Sequence, residues 1–192
     1  MRDQKARVRR ELLARRDALA HDVHARASAA VRARLSQLPE VSTARTLLAF
    51  ASFGSEVALD PFLVDRIALG VGVFLPYIAR MSPPWLEMMR VTDLDADLVP
   101  GRMGIREPVR RGRRPARVDR LDVVVAPGVA FDRAGGRLGY GGGFYDGLLL
   151  RLRPETPVIG VAFATQIVDR VPRDDRDVPV DMVVTEEGVV VT

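Results

Sequence analysis

The chain has 192 residues, 47% of them hydrophobic, and its 25 acidic residues set against 29 basic ones leave a formal net charge of +4. That length and composition suit one domain, residues 1–192, with a substantial core. The absence of cysteine excludes disulfides, thiol nucleophiles and thiolate metal sites, no apolar run approaches the roughly 20 residues that span a bilayer, and the charged N-terminal MRDQKARVRRELLARRDAL lacks a signal-peptide core, so a cytoplasmic protein with no membrane partner is expected.

Residues 3–19 carry Val8, Leu12, Leu13 and Leu19 at helical spacing, and residues 22–37 repeat the pattern with Val23, Ala27, Ala30, Val31 and Leu35. Two amphipathic helices are predicted. Lys5 is the only lysine, and an ammonium is a compact point charge that an arginine fork does not replace at a tight phosphate site. Lys5 and Arg9 share a helix face, where like charges repel by a few tenths of a kcal/mol unless an anion such as a triphosphate lies between them. A solvated basic helix is the alternative, since Arg2, Arg7, Arg10, Arg15 and Arg16 are nearby, and from the residues alone it is the default. His21 and His24 read as a surface pair.

TLLAF (46–50) reads as a strand, 58–69 as a helix, VGVFLP (71–76) as a strand and WLEMMRV (85–91) as another. A β-α-β order favours a parallel sheet with a right-handed crossover. Glu56, in the loop after the first strand, is placed either to accept hydrogen bonds from the ring N–H groups of a heterocycle or to start the next helix, with helix initiation as the default. Residues 100–120 show no period; Arg110, Arg111, Arg113, Arg114, Arg117 and Arg120 lack interleaved aromatics and read as a solvated loop, with no nucleic-acid partner expected. LDVVVAP (121–127) is continuously apolar, the pattern of a central strand covered on both faces.

The stretch 126–151, APGVAFDRAGGRLGYGGGFYDGLLLR, reads as a strand end, a polar turn, a glycine-dense loop and a helix over 144–152. Gly139, Gly141, Gly142 and Gly143 admit positive φ and close approach of a ligand, and the helix start offers unpaired N–H groups to an anion. The loop is neither a Walker P-loop nor a dinucleotide fingerprint. Arg137 adds a forked cation, Asp146 a hard oxygen ligand, and Tyr140, Phe144 and Tyr145 add flat apolar surfaces, a combination suggesting a nucleotide with a divalent metal. Asp181, before the last apolar segment, either completes a two-carboxylate magnesium site with Asp146 or borders the strand. TPVIGVAF (156–163) reads as a strand, 165–168 as a helical turn and 182–191 as a strand or hairpin. The expected fold is α/β, with a mostly parallel central sheet flanked by helices on both faces and ligands beyond the C-terminal ends of strands 46–50 and 121–127.

Taken together, KARVR at the N-terminus, LLAFASFGSEV, GIREP (104–108), APGVAFDRAGGRLGYGGGFYD and VPRDDRDVPVDMVVT resemble the 5-formyltetrahydrofolate cyclo-ligase (5,10-methenyltetrahydrofolate synthetase) family over nearly the full length. The resemblance implies a single three-layer α/β domain and an ATP- and Mg²⁺-dependent conversion of 5-formyltetrahydrofolate to 5,10-methenyltetrahydrofolate, ADP and phosphate. By position it implies that Lys5, Arg9, Arg137, Leu138, Gly139, Tyr140, Gly141, Gly142, Gly143, Phe144 and Tyr145 bind ATP. It also implies that Ala51, Glu56, Tyr140 and Phe144 bind the reduced folate, and that Asp146 and Asp181 hold magnesium. Lys5, Arg137 and Asp146 are then the catalytic groups acting on the transferring phosphate. Gly142 and Gly147 stand where many members carry a basic residue. A monomer or weak homodimer is expected, and a non-catalytic folate- or nucleotide-binding homologue with a regulatory role is the alternative.

Overall fold

The computed structural model describes residues 1–110, 112 and 114–192, so Arg111 and Arg113 of the arginine-rich loop lie outside the described residues. Two helices come first, α1 (Arg2–Asp17) and α2 (His21–Gln37), followed by a single turn, α3 (Pro39–Ser42). Strand β1 (Thr46–Leu48), helix α4 (Asp60–Ala68) and strand β2 (Gly72–Arg80) form the expected β-α-β unit, with Leu47 beside Val73 in parallel register. β2 outlasts β1 because it also pairs antiparallel with β3 (Trp85–Val91), an arrangement that continues to Arg80 opposite Trp85.

Residues 98–108 hold regular structure that their sequence does not suggest. After the turn α5 (Leu94–Asp97), β4 (Leu98–Pro100) and β5 (Arg106–Pro108) form a small antiparallel ribbon. Each strand is three residues long and ends in proline, too short for an alternating pattern to register. The chain continues through β6 (Val123–Pro127), the hairpin β7 (Ala130–Asp132) and β8 (Arg137–Leu138), helix α6 (Phe144–Leu149), β9 (Val158–Val161), β10 (Ile167–Val168), β11 (Met182–Val184) and β12 (Val189–Val191).

The main sheet has seven strands in the order β12-β11-β9-β6-β1-β2-β3. Every pairing from β11 to β2 is parallel, and β12 and β3 run antiparallel at the two edges. The apolar run of β6 follows from its central place. Val123 and Val125 pack with Leu47, Ile159, Val31 and Leu35 of α2 and Phe62 of α4, whereas Val124 and Ala126 pack with Leu48, Val158, Phe131 and Leu148 of α6. Both faces are covered, so a polar side chain at any of these positions would be buried without water.

A second sheet, β10-β7-β8, stands beside the first. Helix α1 docks on it through Leu12, which packs against Val129, Ala130, Leu138 and Val171. Burying that leucine is worth about 2 kcal/mol. The docking fixes the rest of α1 along the border of the main sheet. At β1 the strand order reverses: the chain leaving β1 passes to β2 on one side, and the chain leaving β6 passes to β9 on the other. A crevice opens between such strands at their C-terminal ends.

Candidate active site

A cleft of about 840 Å³ occupies that crevice. Phe50, Ala51, Phe53 and Glu56 line it from the segment after β1, Pro127 from the end of β6, and residues 137–147 from β8, the glycine loop and the start of α6. Lys5 and Arg9 reach it from α1, and Asp174 and Asp177 from the segment before β11.

The wall built by the glycine loop gathers the cations. Arg9 donates from Nε to the Gly139 carbonyl at 2.8 Å. Gly141 and Gly143 adopt φ of +99° and +68°, the left-handed region that a Cβ disfavours. A Cβ on Gly142 would lie 2.7 Å from Cδ2 of Phe144, so in this loop the ring occupies the space that a side chain at 142 would need. Arg137 is 5% exposed and donates to Asp146 Oδ1 at 2.6 Å, while its Nε and the Tyr145 hydroxyl are buried without a hydrogen-bond partner among the described residues. Burial pushes the Tyr145 phenol well above its usual range, with the Glu56 charge acting in the same direction. Lys5 pairs with Asp174 at 3.2 Å and more closely with Asp177. Burial pulls the ammonium down, but its hydrogen bonds to Asp177 and Asp174 outweigh that and hold its pKa above the usual value.

The opposite wall is built by a hook. The Ser52 hydroxyl donates to the Val57 carbonyl at 2.7 Å and accepts from the Leu59 amide at 3.0 Å, which folds the segment after β1 back on itself. Glu56 is thereby 5% exposed on the cleft wall, four residues before α4 starts, and is not a helix-initiating residue. Its Oε2 accepts from the Phe53 amide at 3.2 Å and its Oε1 from the Tyr140 hydroxyl at 2.9 Å. Desolvation raises its pKa to about 7 against the pull of those donors and of Arg16. Tyr140 is raised too, by burial and then by the Glu56 charge. His24, expected as half of a surface pair, is partly buried, with Nε2 2.9 Å from the Glu56 carbonyl oxygen and its ring edge-on to Phe163 at 5.1 Å.

The structure brings Lys5, Arg9, Ala51, Glu56, Arg137 and residues 138–146 to one cleft. It does not bring Asp181 there. Asp181 accepts the Val158 amide at 2.7 Å, at the start of β9, and therefore lies at the N-terminal edge of the parallel strands, the edge away from the crevice. Asp174 and Asp177 line the cleft instead, on a turn that pairs with Lys5. Asp146 makes its bonds through Oδ1, to Arg137 and to the Val178 amide at 3.3 Å, and Asp177 makes its bonds through Oδ2, to Lys5 and to the Asp174 amide at 2.6 Å. No group of three or more metal-ligating side chains occurs among the described residues. Two carboxylates on one wall fit magnesium, which usually takes one or two from the protein and the remainder from phosphate and water.

Arg16, which stands behind the cleft wall and donates to the Tyr140 hydroxyl at 3.0 Å, escaped the sequence reading. It is 3% exposed. Its signal was present in the spacing: Lys5, Arg9, Leu12 and Arg16 form a single stripe down α1, with the buried Leu12 marking the face that docks.

The family model of 5-formyltetrahydrofolate cyclo-ligases matches residues 1–186. A 5-formyltetrahydrofolate cyclo-ligase of Escherichia coli is 35% identical over 157 residues, covering 81% of this chain and 86% of that protein. One of Mycolicibacterium smegmatis is 31% identical over 189 residues, covering 97% and 96%. The NMR structure of Aquifex aeolicus 5,10-methenyltetrahydrofolate synthetase superposes with a TM-score of 0.85 at 33% identity, covering 97% of this chain and 92% of that one.

Proposed function

The chain belongs to the 5-formyltetrahydrofolate cyclo-ligase family, and from that premise we propose that its cleft holds ATP and the reduced folate together, with the triphosphate against the glycine loop and the pteridine against Glu56. The protein is a ligase that converts 5-formyltetrahydrofolate to 5,10-methenyltetrahydrofolate. A formamide oxygen is a poor leaving group. Transfer of the γ-phosphoryl group forms an O–P bond at that oxygen, releases ADP and leaves an iminium phosphate. N10 of the same folate then attacks the formyl carbon, the C–O bond breaks, phosphate departs with the electron pair and the N10 proton is lost to solvent.

Such a reaction needs alignment and charge neutralisation more than a protein nucleophile. Lys5, Arg9 and Arg137 supply the cations, and the amides around 141–145 supply donors in the glycine loop. The buried, unpartnered Nε of Arg137 supports this reading, because such a donor is costly unless a ligand accepts from it. Asp146 and Asp177 are the residues that would hold magnesium, each with one oxygen outside its bonds among the described residues. Magnesium held there would supply positive charge to offset the charge developing on the phosphate in transfer. Lys5, now paired with Asp174 and Asp177, lies where its ammonium would pair with phosphate once Asp177 is engaged elsewhere. Acting on two small molecules, the protein needs no nucleic-acid or membrane partner and works in the cytoplasm as a single domain, monomeric or weakly dimeric.

The convergence of Lys5, Arg9, the glycine loop and two aspartates opposite Glu56 carries this conclusion. The methenyl chromophore provides the assay. Product is expected only with both nucleotide and magnesium, Lys5→Ala and Asp146→Ala are expected to cut kcat by roughly a hundredfold or more, and Asp181→Asn to retain parental turnover. Product formed without ATP, or normal turnover in both of the first two variants, would overturn the reading.

A further inference from the structure

We infer that Arg16 is a positioning residue for folate recognition, a buried guanidinium that acts through the Tyr140 hydroxyl to orient Glu56 and keep it a carboxylate, so that α1 serves the folate as well as the nucleotide. The inference rests on the reading above that Glu56 meets the ring N–H groups of the pteridine.

Arg16 is 3% exposed. Its neighbour Arg15 shows what an arginine at this end of α1 does otherwise: its side chain is 55% exposed and pairs with Glu11 one turn back. Burying a guanidinium is costly, and structures retain such a group where its hydrogen bonds are used. Arg16 donates from Nε to the Ser55 hydroxyl at 2.9 Å and from Nη2 to the Tyr140 hydroxyl at 3.0 Å. Neither acceptor is an anion. The Ser55 hydroxyl in turn donates to Asp17, and the Tyr140 hydroxyl spends its proton on Glu56 Oε1 at 2.9 Å.

A chain of donors therefore runs from a permanent cation to a buried carboxylate. Each bond polarises the next, so the phenol is a stronger donor to Glu56 than an isolated tyrosine would be. The Phe53 amide holds the other oxygen at 3.2 Å, which leaves each oxygen of Glu56 a further lone pair for a paired N–H contact. The charged and titratable groups facing Glu56 are Arg16 and, behind Ser55, Asp17 from α1, His24 from α2 at the Glu56 carbonyl, Tyr140 from the glycine loop and Tyr145 from α6. Of these, only Arg16 carries a permanent positive charge. Burial raises Glu56 to about 7, and the Phe53 and Tyr140 hydrogen bonds and the Arg16 charge pull against it. A protonated Glu56 loses one of its two acceptor faces, which two ring N–H groups require.

Calorimetric titration of the full chain with 5-formyltetrahydrofolate, without nucleotide and across about pH 6 to 9, tests this without turnover. In the parent protein, affinity is expected to be full above the Glu56 midpoint and to fall below it. Arg16→Gln is expected to move that midpoint up by about one pH unit, weakening binding roughly fivefold at about pH 7 and nearly tenfold at about pH 6 and converging on the parent at high pH. A non-hydrolysable ATP analogue is expected to bind both proteins alike. Tyr140→Phe, at a position 38% exposed and so tolerant of the change, is expected to shift the midpoint in the same direction, and Arg16→Lys, which keeps the charge, to retain the parental midpoint. Should Arg16→Gln fail to fold, Tyr140→Phe and Arg16→Lys decide the matter. A loss equal at every pH, or no loss, overturns the role of Arg16. Parental folate affinity at alkaline pH in Glu56→Gln would instead overturn the placement of the pteridine beneath it.

Discussion

Glu56 lines the cleft as a buried carboxylate at the expense of the fold. Its pKa is raised from 4.5 to about 7 by burial, so the folded chain favours the protonated form. A group raised in this way contributes stability that is fully present below its unfolded pKa and lost as the pH rises through its folded one. At pH 8 the ionised, buried carboxylate therefore costs on the order of 3 kcal/mol. Glu56→Gln keeps an acceptor for the Phe53 amide and removes that cost. Thermal denaturation is expected to show the variant melting above the parent at alkaline pH, with the difference vanishing below the unfolded carboxylate pKa, while folate binding is lost. Both outcomes together would show one residue limiting stability while serving recognition, the trade common at sites built for function.

At the scale of elements, α1 brings Lys5 and Arg9 to the cleft, and Leu12, flanked by the partly buried Val8 and Leu13, seats it. Leu12→Ala is expected to cost about 2–4 kcal/mol in denaturant unfolding and to reduce turnover further than that loss alone explains, because Lys5, Arg9 and Arg16 leave their places together. The sequence made α1 legible as a helix and Lys5 and Arg9 as a shared face, since 3.6-residue periodicity is local. It did not reveal that the face turns inward, because neighbouring arginines on every side of α1 mask the stripe. The strands of the parallel sheet were legible for the same local reason: β6 is apolar at each position and could lie only at a centre. The β4–β5 ribbon was not, having three residues per strand. Asp177 and Asp181 show the remaining limit. Both precede β11, and only the direction of that strand, a property of the whole sheet, decides which of them reaches the crevice.

For the whole molecule, the reversal of strand order between β1 and β6 makes one cleft out of segments that are far apart in the chain. Residues near 5, 56, 140 and 177 meet only when the parallel sheet, the small sheet and α1 are all in place. Ligands that bind this assembled state therefore stabilise the global fold. MgATP at about a hundred times its Kd is expected to add roughly 2.7 kcal/mol, read as a rise in Tm that Lys5→Ala diminishes, and heating in the presence of ATP without magnesium to give a smaller rise. Lys5 has one more consequence. As the only ε-amine of the protein, 12% exposed and clasped by two aspartates, it is a natural address for a single isotopic methyl label, whose NMR signal would report when the clasp opens. For the same reason, coupling this protein to a surface or dye through lysine chemistry would strike the one ε-amine, inside the cleft itself.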